Sequence, residues 1–100
     1  SVNGVAGGLR SAVSLVKAQV LVSGSGNGSI NMDGVAVAVN TSSFPTAASG
    51  GIEAAMQGLS GYTMNHATPT STFQPSGGGA NCQASYNANT GLVTVSSTGC

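Results

Sequence analysis

The stretch from Val2 to Val22 constrains any fold for this chain, because its apolar residues recur at helical spacing. At about 100° per residue, Val2, Val5, Leu9, Ala12, Val13, Val16 and Val20 share one face. Asn3, Arg10, Ser14 and Lys17 form a neighbouring polar stripe. A regular helix of that length runs roughly 30 Å and crosses most of a domain of this size. The rest of the chain must therefore cover its apolar face.

Ser23 to Gly28 reads as a flexible connector whose glycines can take the positive φ that stops a helix. It is not a dinucleotide-binding loop, since Ser29 stands where the third glycine belongs and a helix rather than a strand precedes it. Ser29 to Met32 and Val35 to Val39 alternate around Asp33-Gly34, a two-residue hairpin signal, and Val35, Val37 and Val39 share the face expected to meet the helix. Asn40 to Ala48 reads as a loop through Phe44-Pro45. Ser49 is placed to cap a short second helix through Ile52, Glu53, Ala54, Ala55, Met56 and Leu59, with Gly61 as its stop.

Further on, Tyr62 to Thr70 reads as an irregular connection with at most a short strand, Thr72 to Gln74 as a strand ended by Pro75, and Gly77 to Gly79 as a loop. Cys82 to Tyr86 and Leu92 to Val95 form a closing hairpin around Asn87 to Gly91, with Gly91 suited to a bulge. The fold class is α+β: a long N-terminal α-helix packed on a small antiparallel β-sheet of about four strands. One domain spans residues 1–100, with the helix in 1–23, the connector, hairpin and variable region in 24–80 and the terminal hairpin in 81–100. Its expected core joins Val5, Leu9, Val13, Val16 and Val20 to Val35, Val37, Val39, Phe73, Tyr86, Val93 and Val95.

Charge narrows the function. Charged residues make up 4% of the chain, namely Arg10, Lys17, Asp33 and Glu53, and two basic side chains on one helix do not hold a phosphate backbone. No nucleic-acid partner is expected. Disorder is also disfavoured, because it goes with low hydrophobicity and high net charge, and here hydrophobic residues make up 40% and the net charge is zero. No uninterrupted apolar run approaches the ~18 residues of a membrane span. Cys82 and Cys100 are the two cysteines, with a single way to pair, and a small charge-poor domain with an even cysteine count fits an oxidising compartment. Closing such a loop is worth about 3 kcal/mol in the chain-entropy model. The alternative is two separate buried thiols.

Catalysis is not expected. His66 is the single histidine, so a nucleophile–base pair would need it beside Cys82 or a serine with a third group behind it. In a Thr-, Asn- and Pro-rich setting it reads as a solvated loop residue, Asp33 as part of the tight turn, and Glu53 as an acid at a helix start, where the dipole favours it. One histidine and two carboxylates make neither a carboxylate-pair enzyme nor a metal cage, and no cofactor is called for. Asn27-Gly28-Ser29 and Asn40-Thr41-Ser42 fit the glycosylation sequon and count here only as exposed loops.

Three segments together resemble a known family. The helix sequence Gly8-Leu9-Arg10-Ser11-Ala12-Val13-Ser14-Leu15-Val16-Lys17-Ala18, the Thr72-Phe73-Gln74-Pro75-Ser76 segment and the ending Asn81-Cys82-Gln83-Ala84-Ser85-Tyr86 … Thr98-Gly99-Cys100 are similar to the soluble part of a type IV pilin, nearest the mannose-sensitive haemagglutinin group. The resemblance covers most of the chain and is weakest from Asn40 to Ala67. It implies a structural subunit of an extracellular bacterial pilus, a helical filament of identical subunits that attaches to a receptor on a cell or abiotic surface. Family members carry an apolar N-terminal half-helix with an acidic residue and a processing site, which hold the subunit in the inner membrane before assembly. This sequence shows neither, so it is expected to be a truncated soluble part whose membrane contact runs only through the missing segment. The alternative is a minor pilin or pseudopilin-like binding or secretion module acting as a monomer or tip.

Within that reading, Leu15, Ala18 and Val22 lie on a second stripe well away from the main apolar face, with Gly4 and Ser11 alongside. They are expected to pack against neighbouring helices in the filament, flanked by Arg10 and Lys17, which would set register with acidic groups on adjacent subunits. The competing arrangement folds a loop from Asn40 to Thr70 over the stripe.

Overall fold

In the computed structural model, which describes residues 2–24, 28–56 and 61–100, one helix lies across two antiparallel sheets. Helix α1 runs from Val2 to Ser23. Strands β1 (Ser29–Met32) and β2 (Val35–Ala38) pair as a hairpin, and β3 (Tyr62–Ala67), β4 (Thr70–Pro75), β5 (Gln83–Asn87) and β6 (Leu92–Ser96) form a meander in that order. The α+β expectation is met, with the sheet divided in two and six strands in place of about four. The longest dimension is 40 Å.

The expected apolar face of α1 is the buried one: Val2, Val5, Leu9, Ala12, Val13, Val16 and Val20, joined by Ala6. Its first turns pack with Phe73, Ala84, Tyr86 and Val93 of the large sheet, and its last turns, through Val16 and Val20, with Ile30, Val37 and Val39 of the hairpin. A two-stranded hairpin is marginal in water on its own, so the hairpin depends on this helical cover. By length and composition α1 also qualifies as a membrane-crossing helix, with a mean hydropathy of 1.3 in its most apolar window, although no uninterrupted apolar run announces it. Gly24, at φ 76, ends it by donating its amide to Val20 O at 2.7 Å. The connector reading for Ser25 to Asn27 lies outside the described residues, as does Leu59.

The Asp33-Gly34 turn forms as read, with positive φ at both residues (55° and 88°), the type I′ signature, and Asn31 Oδ1 accepts the Gly34 amide at 2.7 Å. One core assignment fails here. Val35 pairs with Met32 beside the turn, at the tip of the hairpin, and is 41% exposed, while Val37 and Val39 are buried. Val95 is partly buried at the edge of the large core.

The second helix also differs from expectation. Ser49–Glu53 is a short π-helical segment whose N-cap position is held by Ala48 with no side-chain cap, not by Ser49. Tertiary packing explains it: a Cβ on Gly51 would collide with the Thr46 backbone and hydroxyl, so the chain closes tightly on itself, with Ile52 N donating to Thr46 O at 2.8 Å. Tyr62 to Ala67, read as irregular, is a full strand whose odd and even residues alternate between half-buried and exposed. Strand β4 starts at Thr70 and keeps Pro75 as its last residue, after a cis Thr68–Pro69 peptide in the β3–β4 turn. The β5–β6 hairpin keeps an unbroken register from Gln83↔Ser96 to Asn87↔Leu92, so the expected bulge is absent there and residues 88–91 form a four-residue loop. Gly91 is still required, for a different reason: its φ is 72° and a Cβ there would lie 2.5 Å from the Phe44 ring.

Leu9 is fully buried between α1 and the large sheet. Leu9→Ala is expected to cost about 2–5 kcal/mol, whereas Leu15→Ala, on the opposite face, should stay within about 0.5 kcal/mol. Chemical denaturation midpoints of the two variants check this, and similar losses for both would contradict the packing.

Candidate functional site

The side of α1 turned away from both sheets is the first candidate. Leu15 is 61% exposed, Leu21 75% and Val22 83%, and Gly4, Gly7, Ser11, Ser14 and Ala18 beside them are exposed small residues. No described residue of the Asn40 to Thr70 region covers Leu15 or Val22, so the competing loop-over-stripe arrangement does not occur among the described residues. Next to Leu15, Arg10, Ser11 and Ser14 line an open depression of about 430 Å³.

Lys17 departs from its expected flanking position, whereas Arg10 lines the depression beside Leu15. Lys17 does not flank the stripe: its Nζ lies over the Phe44 ring, 4.2 Å from the centroid, a cation–π contact that pins the loop to the helix. Arg10 is exposed and donates from Nη2 to Val93 O at 3.3 Å, which ties the helix to β6. Both side chains thus serve contacts within this chain, and the apolar stripe itself carries no charge.

The loop that Lys17 holds is organised by Asn40, the first residue of a sequon expected to be an exposed loop. Asn40 donates from Nδ2 to Ala88 O at 2.7 Å, and its Oδ1 accepts the amides of Ser42 and Phe44 at 3.0 and 3.1 Å. Tyr86, buried in the large core, donates its hydroxyl to Pro45 O at 2.6 Å, and burial pushes this phenol's pKa up, so it stays a donor. An Asn-then-aromatic loop next to a buried Tyr was the one available signal, and nothing local gives the partners.

His66 is the second candidate. Instead of a solvated loop position it sits half-buried on β3, edge-on to the Phe73 ring with centroids 6.5 Å apart. Its Nε2 meets Glu53 Oε1 at 2.7 Å and its Nδ1 meets Ser71 Oγ at 2.9 Å. Serine, histidine and carboxylate in a row have the connectivity of a hydrolytic triad. The chemistry does not follow. Ser71 is completely buried and its hydroxyl donates to Ala47 O, so its proton is not directed at His66 and no substrate reaches its oxygen. The row works as a polar clasp joining β3, β4 and the segment from Ala47 to Glu53. Among the described residues, no three His, Cys, Asp or Glu side chains come together to hold a metal ion.

The disulfide is formed as the cysteine count indicated. Cys82 and Cys100 are bonded with Cα atoms 4.8 Å apart, and Gly99 N donates to Asn81 O at 2.8 Å alongside. Cys82 lies in the large core with Ala84 and Tyr86, so the bond fastens the terminal segment to the core side of β5. Compared with protein-family models, with curated proteins and with solved structures, the chain matches none of them.

Replacing both cysteines by serine is expected to cost about 2–4 kcal/mol. Intact mass after alkylation should show no modified thiol before reduction and two after it; two freely alkylated thiols in the unreduced folded protein would contradict the bond.

Proposed function

We propose that this protein is a structural subunit of an extracellular filament of the type IV pilus kind, and that the exposed stripe of α1 is the surface through which identical subunits pack. The observation that carries the reading is the division of α1 into two apolar faces. One is buried under two sheets and the other, Leu15, Ala18 and Val22, is left in water. Exposed apolar surface of this kind promotes association. Small residues at Gly4, Gly7, Ser11, Ser14 and Ala18 let a neighbouring helix approach closely. Contacts between different surfaces of successive copies do not close on themselves and so extend as a helix.

Two further features support the reading. The sequence resemblance runs through the same helix and through the Cys82 to Cys100 ending. A disulfide fits a subunit exported to an oxidising exterior, where such a filament would attach to a cell or abiotic surface. Register would come from the shape of the stripe, since Arg10 and Lys17 are engaged within their own chain.

Leu15→Asp should leave the isolated domain folded, because the residue contributes to neither core, and should abolish fibres on cells. Circular dichroism and a denaturation curve check the first outcome, and electron microscopy of cells the second. Normal piliation in that mutant would sink the filament reading, whereas a folded monomer with lost attachment but intact fibres would favour a tip or minor subunit.

A further inference from the structure

The two edges of the large sheet are finished differently. At one edge β6 is covered: α1 lies over it and Arg10 donates to Val93 O. At the other, β3 has β4 along one side and no strand or helix along its open side among the described residues. The register tells which backbone groups of β3 are spent. Ser76 N donates to Gly61 O at 2.9 Å, so the alternate pairs that follow, Thr63↔Gln74, Asn65↔Thr72 and Ala67↔Thr70, are the hydrogen-bonded ones. Pro75, which stands opposite Tyr62 and has no N–H to give, fits the same alternation. Met64 and His66 therefore turn their amides and carbonyls away from β4, toward the open side. Natural strand edges are commonly blunted by a lysine, a proline or a bulge. From Tyr62 to Ala67 β3 has none of these, and its register with β4 is unbroken.

We propose that β3 pairs edge to edge, antiparallel, with β3 of a second copy of this chain about a two-fold axis at Asn65. In that register Met64 and His66 of one copy exchange hydrogen bonds with His66 and Met64 of the other, so every outward backbone group of these two residues is paired. On the exposed face Asn65 meets its own counterpart, and two carboxamides can each donate to the other. On the half-buried side the Met64 sulfur stands opposite the His66 ring of the second copy, a favourable sulfur–aromatic contact. Thr63 opposes Ala67. Charge also admits this partner: Arg10, Lys17, Asp33 and Glu53 all lie off β3, so no like charges are set opposite each other. The two meanders then join into one continuous sheet. An edge of this length runs about 20 Å at ~3.3 Å per residue, which covers less than the ~800 Å² per partner of a stable dimer. The pairing is therefore weak and follows protein concentration. It leaves the exposed stripe of α1 free on the side turned away from the sheets, and so is independent of the filament packing.

Sedimentation velocity across the micromolar to millimolar range tests the pairing, with Asn65, exposed and on the axis, as the probe. The unmodified protein should shift toward a dimer as concentration rises, and the Met64 and His66 amides should gain protection from hydrogen exchange in step. Asn65→Lys sets two ammonium groups against each other and should weaken the association about tenfold. Asn65→Asp should do the same with two carboxylates. An equimolar mixture of the two variants should restore the dimer as a mixed pair, since opposite charges then face each other across the axis. Leu15→Asp, on the stripe of α1, should change nothing. A monomer at every concentration, an association that survives Asn65→Lys, a mixture no tighter than either variant alone, or loss of the dimer in Leu15→Asp would each overturn the pairing.

Discussion

The structure depends on a single apolar arc, the face of α1 that runs from Val2 to Val20, because that arc serves two cores at once. Val2, Val5, Ala6, Leu9 and Val13 fill the space over β4, β5 and β6, and Val16 and Val20 fill the space over the β1–β2 hairpin. Neither sheet hydrogen-bonds to the other as a ladder. The helix is what makes them one domain. With four charged residues in 100, the chain has little other means of stability than this burial and the terminal disulfide.

Between the sheets, the segment from Asn40 to Met56 supplies the polar half of the joint. Asn40 satisfies the Ala88 carbonyl and the loop's own amides, Tyr86 satisfies Pro45 O, and Ser71 satisfies Ala47 O. Each is a side chain reaching a backbone group in a region with no strand ladder, which is how irregular chain next to a core avoids orphaned donors and acceptors. Lys17 adds a charge on the Phe44 ring, and Gly91 leaves room for that ring. The segment least regular in sequence is thus tied at many separate points.

What the sequence made legible was local. The 3.6-residue period of α1, the Asp33-Gly34 turn and the unique cysteine pairing each lie within one stretch or admit one solution. Strand β3 was not legible, because its inward side, Tyr62, Met64 and His66, mixes an apolar residue with polar-tipped ones, and the alternation does not stand out. Nor was the π-helical segment, whose form is set by Gly51 lying against Thr46 rather than by propensity. The Glu53–His66–Ser71 row joins residues from three elements, and its pattern exists only once β3 and β4 are paired in the register that sets His66 against Ser71. Of the assembly residues, the stripe of Leu15, Ala18 and Val22 was readable as surplus apolar surface, whereas the destination of Lys17 was not, since Phe44 lies in a loop with no periodicity.

The central claim is that α1 has one face for the domain and another for other copies of it. Hydroxyl-radical footprinting read by mass spectrometry tests it in a single comparison of the isolated domain with assembled fibres. In the domain, Leu15 and Val22 should oxidise readily while Leu9 and Val16 do not, as their burial dictates. In fibres, Leu15 and Val22 should drop to the level of Leu9 and Val16. Unchanged oxidation of Leu15 and Val22 on assembly would contradict the account.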